Sequence, residues 1–215
     1  MEELAVLATW YQWIGLVALL FSMVVSFVHL LRLIRAGRPV DYSRPEGSIP
    51  EGIRYSFTTA MNPAKKESAF LHLPTYFSGI MYHLGVFFTL LLFVVMIFRG
   101  TTAGLPLSYW LAVVPIVGGG AGAWLLIKRL ADPMMRRLST PDDYISNLLV
   151  TLFQLTAVLS LLTEGNTMLF LLSGGMLLLY FPLGKLKHAI YFFAARYYLG
   201  VFYGSRAVWS KPSKP

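Results

Sequence analysis

The sequence predicts an all-α membrane protein built as a bundle of five transmembrane helices, and three observations predict it. Of 215 residues, 56% are hydrophobic and 13% charged, with a mean hydropathy of +0.62, a balance typical of integral membrane chains. Five apolar stretches reach the about 20 residues that a helix needs to cross ~30 Å of hydrocarbon. The short alternating segments of an outer-membrane barrel are absent from the sequence.

The first stretch covers 10–33. The residues before it, Met1-Glu2-Glu3, are acidic and lack the basic region and small-residue cleavage site of a signal peptide. The stretch is therefore expected to be kept as the first helix. The connection that follows, 35–75, carries Pro39, Pro45, Pro50, Pro63 and Pro74 with Gly37, Gly47 and Gly52, which argues against a long helix. A loop of this length with no core of its own reads as a docking surface.

The second stretch covers 77–98 and the third 107–127, joined by a short connection at 100–106. Within the third, Gly118 and Gly122 form a small-xxx-small pair, the spacing that lets two helices approach closely. No basic or hydroxyl residue follows at the offset a phosphate loop needs. The fourth stretch covers 144–162 and the fifth 168–191. Pro182, Lys185 and Lys187 interrupt the fifth, which reads as one long helix with a proline bend whose last turns leave the bilayer. Gly174 and Gly175 admit either close packing or room for a cofactor. From about 196 the chain reads as a tail, and Arg196-Tyr197-Tyr198, Phe202-Tyr203 and Trp209 suit an interfacial belt or the seat of a partner. The whole chain, 1–215, reads as a single membrane domain.

Charge follows the connections. Seven basic residues lie in 32–76, four in 128–137 and six from 185 onward, leaving Arg99 alone on the other side. By the positive-inside rule the N-terminus is outside, and the 35–75 loop, the 128–137 loop and the C-terminus are cytoplasmic. The net charge of +8 is thus a topology signal and not a nucleic-acid footprint. There are no cysteines, so this chain holds no disulfide, no thiolate nucleophile and no iron–sulfur cluster. Carboxylates occur only in connections and at the ends, which leaves no intramembrane acid for proton pumping and no nucleophile–base motif.

Two histidines, His83 and His188, lie in the second and fifth stretches, and ionisable groups there usually mark function. Gly79 and Gly184 each stand four residues earlier. On a continuous helix that residue shares the face one turn back, so each glycine would clear a flat space beside an imidazole. Histidine is a haem ligand, and both residues fall at cytoplasmic depth in the expected topology. The alternative is two packed histidines hydrogen-bonded to neighbouring helices. His29, beside Arg32, suits a haem propionate, a quinone carbonyl or a snorkelling interfacial side chain. His72 suits a solvated helix entrance. No histidine falls in the outer half of any stretch.

Three segments carry a family resemblance: Met81-Tyr82-His83-Leu84-Gly85-Val86; Leu125-Leu126-Ile127-Lys128-Arg129-Leu130 with Pro133, Arg136, Ser139-Thr140 and Asp143; and Tyr180-Phe181-Pro182-Leu183-Gly184-Lys185-Leu186-Lys187-His188. Together they resemble the cytochrome b family containing the gamma subunit of respiratory nitrate reductase. Related members serve membrane heterodisulfide reductase and the transmembrane redox complexes of sulfate reducers. The resemblance covers about 71–206.

It implies a b-type haem held by His83 and His188 in a subunit of a respiratory complex of a bacterial or archaeal cytoplasmic membrane. The expected partners are a cytoplasmic iron–sulfur subunit, other membrane subunits and a quinone, with menaquinone a candidate second cofactor. A haem-free membrane anchor or assembly subunit is the alternative. Nitrate reductase-type members bind a second, outer haem, and the corresponding positions here are Phe93 and Phe170. The resemblance therefore implies one haem, and leaves the family's outer quinol site without the haem it feeds.

Overall fold

The computed structural model describes residues 9–37, 42–62, 64, 71–102, 108–163 and 166–209. Among them the regular structure is entirely helical. The helices are α1 (Trp10–Arg35), α2 (Ile49–Phe57), α3 (Leu73–Arg99), α4 (Ser108–Ala131), α5 (Pro133–Leu138), α6 (Pro141–Leu162), α7 (Thr167–Tyr180) and α8 (His188–Ser205). Two 3-10 turns, Thr59–Met61 and Lys185–Lys187, join them. Four helices, α1, α3, α4 and α6, are each long and apolar enough to cross a membrane, and the pair α7 with Lys185–Ser205 passes only when counted as one span. The protein is thus a multi-pass helical membrane chain. Residues 1–8, 38–41, 63, 65–70, 103–107, 164–165 and 210–215 lie outside the description, and with them Arg38, Pro39, Pro63, Lys65, Lys66, Lys211, Lys214 and most of the expected 100–106 connection.

Local chemistry sets the helix ends. Asp132 accepts from the backbone N–H of Met134 at 2.8 Å and starts α5, with Pro133 in the first turn, where its missing N–H costs nothing. Asp143 accepts from both the N–H and the hydroxyl of Thr140 at 2.9 Å, so a capping box opens α6. Gly100 closes α3 with φ +77° and donates its N–H to Met96 at 2.9 Å, a left-handed cap that suits glycine. Pro115 sits buried inside α4, as membrane helices allow.

The chain divides into two compact units, Met1–Val25 with Pro74–Leu186, and Ser26–Leu73 with Lys187–Pro215. In the first, α4 packs on α6 and α6 on α7. Its core is Phe93, Met96, Ile97, Phe153, Phe170 and Leu171, all fully buried. Gly85 and Gly118 face each other so closely that a Cβ on either would lie 2.8 Å from the other's Cα and collide with Gln154. A Cβ on Gly122 would strike the Tyr82 ring. The small residues of α4 therefore serve helix packing.

In the second unit α2 packs along α8. A Cβ on Gly200 would come 2.6 Å from the Cα of Ile53, and one on Gly204 2.9 Å from the carbonyl of Ser48. Ser205 accepts from the N–H of Glu46 at 2.8 Å and of Gly47 at 3.0 Å.

Three sequence expectations change. The 35–75 connection is not coreless, because α2 within it is packed through glycines onto α8. The fifth stretch is not one helix with a bend, because it stops at Tyr180 and helix resumes only at His188. The tail expected from about 196 is helical through Ser205, held there by the α2 contact.

Candidate functional site

His83 lies on α3 in the first unit, and its imidazole is exposed. Its Nδ1 stands 2.6 Å from the carbonyl oxygen of Gly79. A carbonyl only accepts, so Nδ1 is the donor, and in the neutral ring the lone pair falls on Nε2. This is the arrangement that orients a metal-binding imidazole and fixes its tautomer. At Gly79 a Cβ would meet nothing within 4 Å, so the helix face one turn below the ring is open. The α3 face turned the other way carries Tyr82 into the bundle, where its hydroxyl donates to the carbonyl of Asn147 at 2.9 Å.

His188 belongs to the second unit and is the first residue of α8, directly after the Lys185–Lys187 turn. It too is exposed. Gly184 does not sit one turn below it on a shared helix, since the chain is not α-helical between them. The space a Cβ would take at Gly184 is filled by the ring of Tyr180. The face-clearing role expected for Gly184 is therefore replaced by a packing role, and the reason is the break after α7.

That break is held by a polar cluster of the first unit. The Tyr180 hydroxyl donates to Asp142, and the N–H of Lys185 reaches the same carboxylate at 3.1 Å. The Lys185 ammonium pairs with Asp143. Arg129 approaches Asp143 at 3.4 Å and donates to Ser139 at 2.9 Å. The segments 125–143 and 180–185, far apart in sequence, thus meet in one cluster three residues before His188. Sequence reading missed the roles of Asp142 and Tyr180. The available signal was a pair of carboxylates opening an apolar helix, where they cap the first turn and attract a cation.

In the second unit, His29 on α1 and Tyr191 on α8 are joined by a 2.8 Å hydrogen bond between Nδ1 and the phenol oxygen. Tyr191 follows His188 by three residues, on the same side of the helix. His72 is exposed just before α3.

The opposite end of α3 is closed. Phe93, Phe153 and Phe170 form a buried ring cluster, with Phe153 and Phe170 stacked at 5.4 Å and Phe93 edge-on to both. A Cβ at Gly174 would collide with Phe93, while one at Gly175 would make ordinary contact with Ile14 at 3.5 Å. Gly174 therefore serves packing, while Gly175 leaves room for a Cβ. Beyond the cluster, Thr102 donates to the carbonyl of Ser160, and its N–H reaches the Thr167 hydroxyl at 3.4 Å.

Among the described residues no group of three or more His, Cys, Asp or Glu is placed to hold a metal ion. No protein-family model, curated protein or solved structure matches the chain.

Proposed function

We propose that this chain is a mono-haem b-type cytochrome subunit of a membrane redox complex, with His83 and His188 as the two axial ligands. The observation that carries the reading is His83. Its Nδ1–H donates to Gly79 at 2.6 Å, which leaves Nε2 free to bind iron, and Gly79 has open space where a Cβ would stand. When bound, a b-type haem passes single electrons. The chain's own part is to aim the His83 ring through the Gly79 carbonyl and to leave the face beside it open. For His188 the support is the sequence pattern and its place at the head of α8; Gly184 takes no part in the reading. The filled ring cluster at Phe93 and Phe170 supports one haem and not two.

Electrons would pass between a quinone, or a neighbouring membrane subunit, and a cytoplasmic iron–sulfur subunit. The absence of cysteine assigns any cluster to that partner. The proposed docking surfaces are 35–75 and the basic 128–137 segment, on the cytoplasmic side of a bacterial or archaeal membrane. Lys65 and Lys66, within the first of these, lie outside the described residues.

The ligand assignment is tested by His83→Ala and His188→Ala, each expected to abolish the haem spectrum while the chain still inserts. A normal low-spin spectrum in either variant overturns that ligand. Docking is tested by cross-linking mass spectrometry on the native complex. Links from Lys65, Lys66 or Lys128 to a cluster-bearing subunit are expected, and contact with such a subunit only through 100–106 overturns the surface.

A further inference from the structure

The two units differ completely in charge. The first holds six basic and six acidic residues. The second holds twelve basic and four acidic, and so carries the whole net charge of +8. The positive-inside rule explains the basic connections, but it does not explain the composition of α8, which carries only one of the twelve.

Helix α8 is made of four tyrosines, three phenylalanines, Arg196 and no acid across its 18 residues. Alone it is not among the helices apolar enough to cross a membrane. It nevertheless exposes Phe193 at 65%, Phe202 at 48%, Tyr197 at 41% and Leu199 at 40%, a surface that water does not tolerate over such a length. Tyrosine and arginine beside exposed phenylalanine is the composition of a helix at the headgroup level, with rings in the acyl boundary and cations in the polar layer.

Geometry within the unit agrees. The first turn of α8 is tied through Tyr191 to His29, one turn before Arg32 near the basic end of α1. Arg206 lies over the Phe202 ring at 3.7 Å and Arg196 over Phe192 at 5.7 Å, so ring faces hold two guanidinium groups beside the apolar surface. The short α2, packed along α8 through Gly52, Gly200 and Gly204, braces that helix without hiding these rings.

We infer that the α2–α8 pair lies in the headgroup layer and binds anionic phospholipid through Arg196 and Arg206. The planar fork of Arg196 takes two phosphate oxygens of a headgroup, Arg206, whose Nη1 donates to the carbonyl of Phe202 at 3.0 Å, adds positive charge beside it, and the phenylalanines below enter the acyl region. This pair is an interfacial module and not a fifth membrane crossing. The inference rests on the composition of α8 and not on the haem, although the helix begins at His188.

The absence of cysteine gives a clean test on the full chain in lipid nanodiscs. Ala195→Cys and Leu199→Cys, one turn apart, each receive a nitroxide label whose depth is read by power saturation. An interfacial helix puts both labels at the same shallow depth, whereas a crossing helix separates them by about 6 Å. In parallel, lipid retained by the purified chain is measured against mixtures of phosphatidylglycerol and phosphatidylcholine. The wild type is expected to prefer phosphatidylglycerol, and Arg196→Gln with Arg206→Gln to lose roughly fivefold in affinity per charge removed. Unequal depths, water-exposed labels such as a protein-docking face would give, or an unaltered preference in the Arg196/Arg206 variant would each overturn the inference.

Discussion

Gly79 and Gly174 are both glycines on apolar helices of the same unit, and their surroundings are opposite. Beside Gly79 there is open space and an imidazole aimed by a backbone carbonyl; beside Gly174 the ring of Phe93 already occupies the place of a Cβ. A glycine in a membrane helix makes room, and the sequence does not say for what. The occupant decides: a protein ring makes the glycine part of the core, while an open face beside an exposed imidazole leaves the room to something outside the chain, which we propose is a haem. Along the single helix α3 one end thus has an open face beside His83 and the other is filled by Phe93.

The largest effect that separates the two ends is loss of cofactor. His83→Ala should remove the haem completely while membrane insertion persists, because insertion depends on the apolar spans. Membrane fractionation with a reduced-minus-oxidised spectrum checks both halves. The mirror experiment is Phe93→Ala, which empties the ring cluster and should cost about 3–5 kcal/mol of stability with haem content unchanged, as measured by denaturant unfolding in detergent and haem assay. If Phe93→Ala also releases the haem, the two ends are not separate.

A sharper version of the comparison uses the glycines themselves. Gly79→Leu should sharply lower haem content, while stability holds or rises by up to about 1 kcal/mol from better helix propensity. Gly174→Leu should instead lower stability by several kcal/mol through overpacking against Phe93 and Phe153, with any haem loss following the loss of fold. The smallest expected effect is Tyr191→Phe, which removes one hydrogen bond to His29 and should cost about 1 kcal/mol. A cost above about 3 kcal/mol would give this pair a larger part in holding α8.

Much of the fold was legible in the sequence because a membrane helix is specified by length and hydropathy, and four spans could be read that way almost to their ends. The fifth failed for a physical reason. Pro182 signalled a bend, but the full break depends on Tyr180 reaching Asp142 and Lys185 reaching Asp143, contacts some 40 residues apart that no local pattern encodes. The same contacts removed the expected role of Gly184. Helix α2 was hidden because its prolines and glycines read as loop, although Pro50 stands in its first turn and Gly52 is the point where α8 packs. At the site, the residue type and spacing of His83 and Gly79 could be read. The tautomer could not, since it follows from a side-chain rotamer that brings Nδ1 to the Gly79 carbonyl.

The central claim is one haem, held at the open end of α3. The most direct measurement is the haem-to-protein ratio of the purified chain by pyridine haemochrome assay, taken with a reduced-minus-oxidised spectrum. One b-type haem per chain, lost in His83→Ala, is the expected result. A ratio of zero in chain purified from haem-replete membranes, or of two despite the sealed Phe93 cluster, would contradict it.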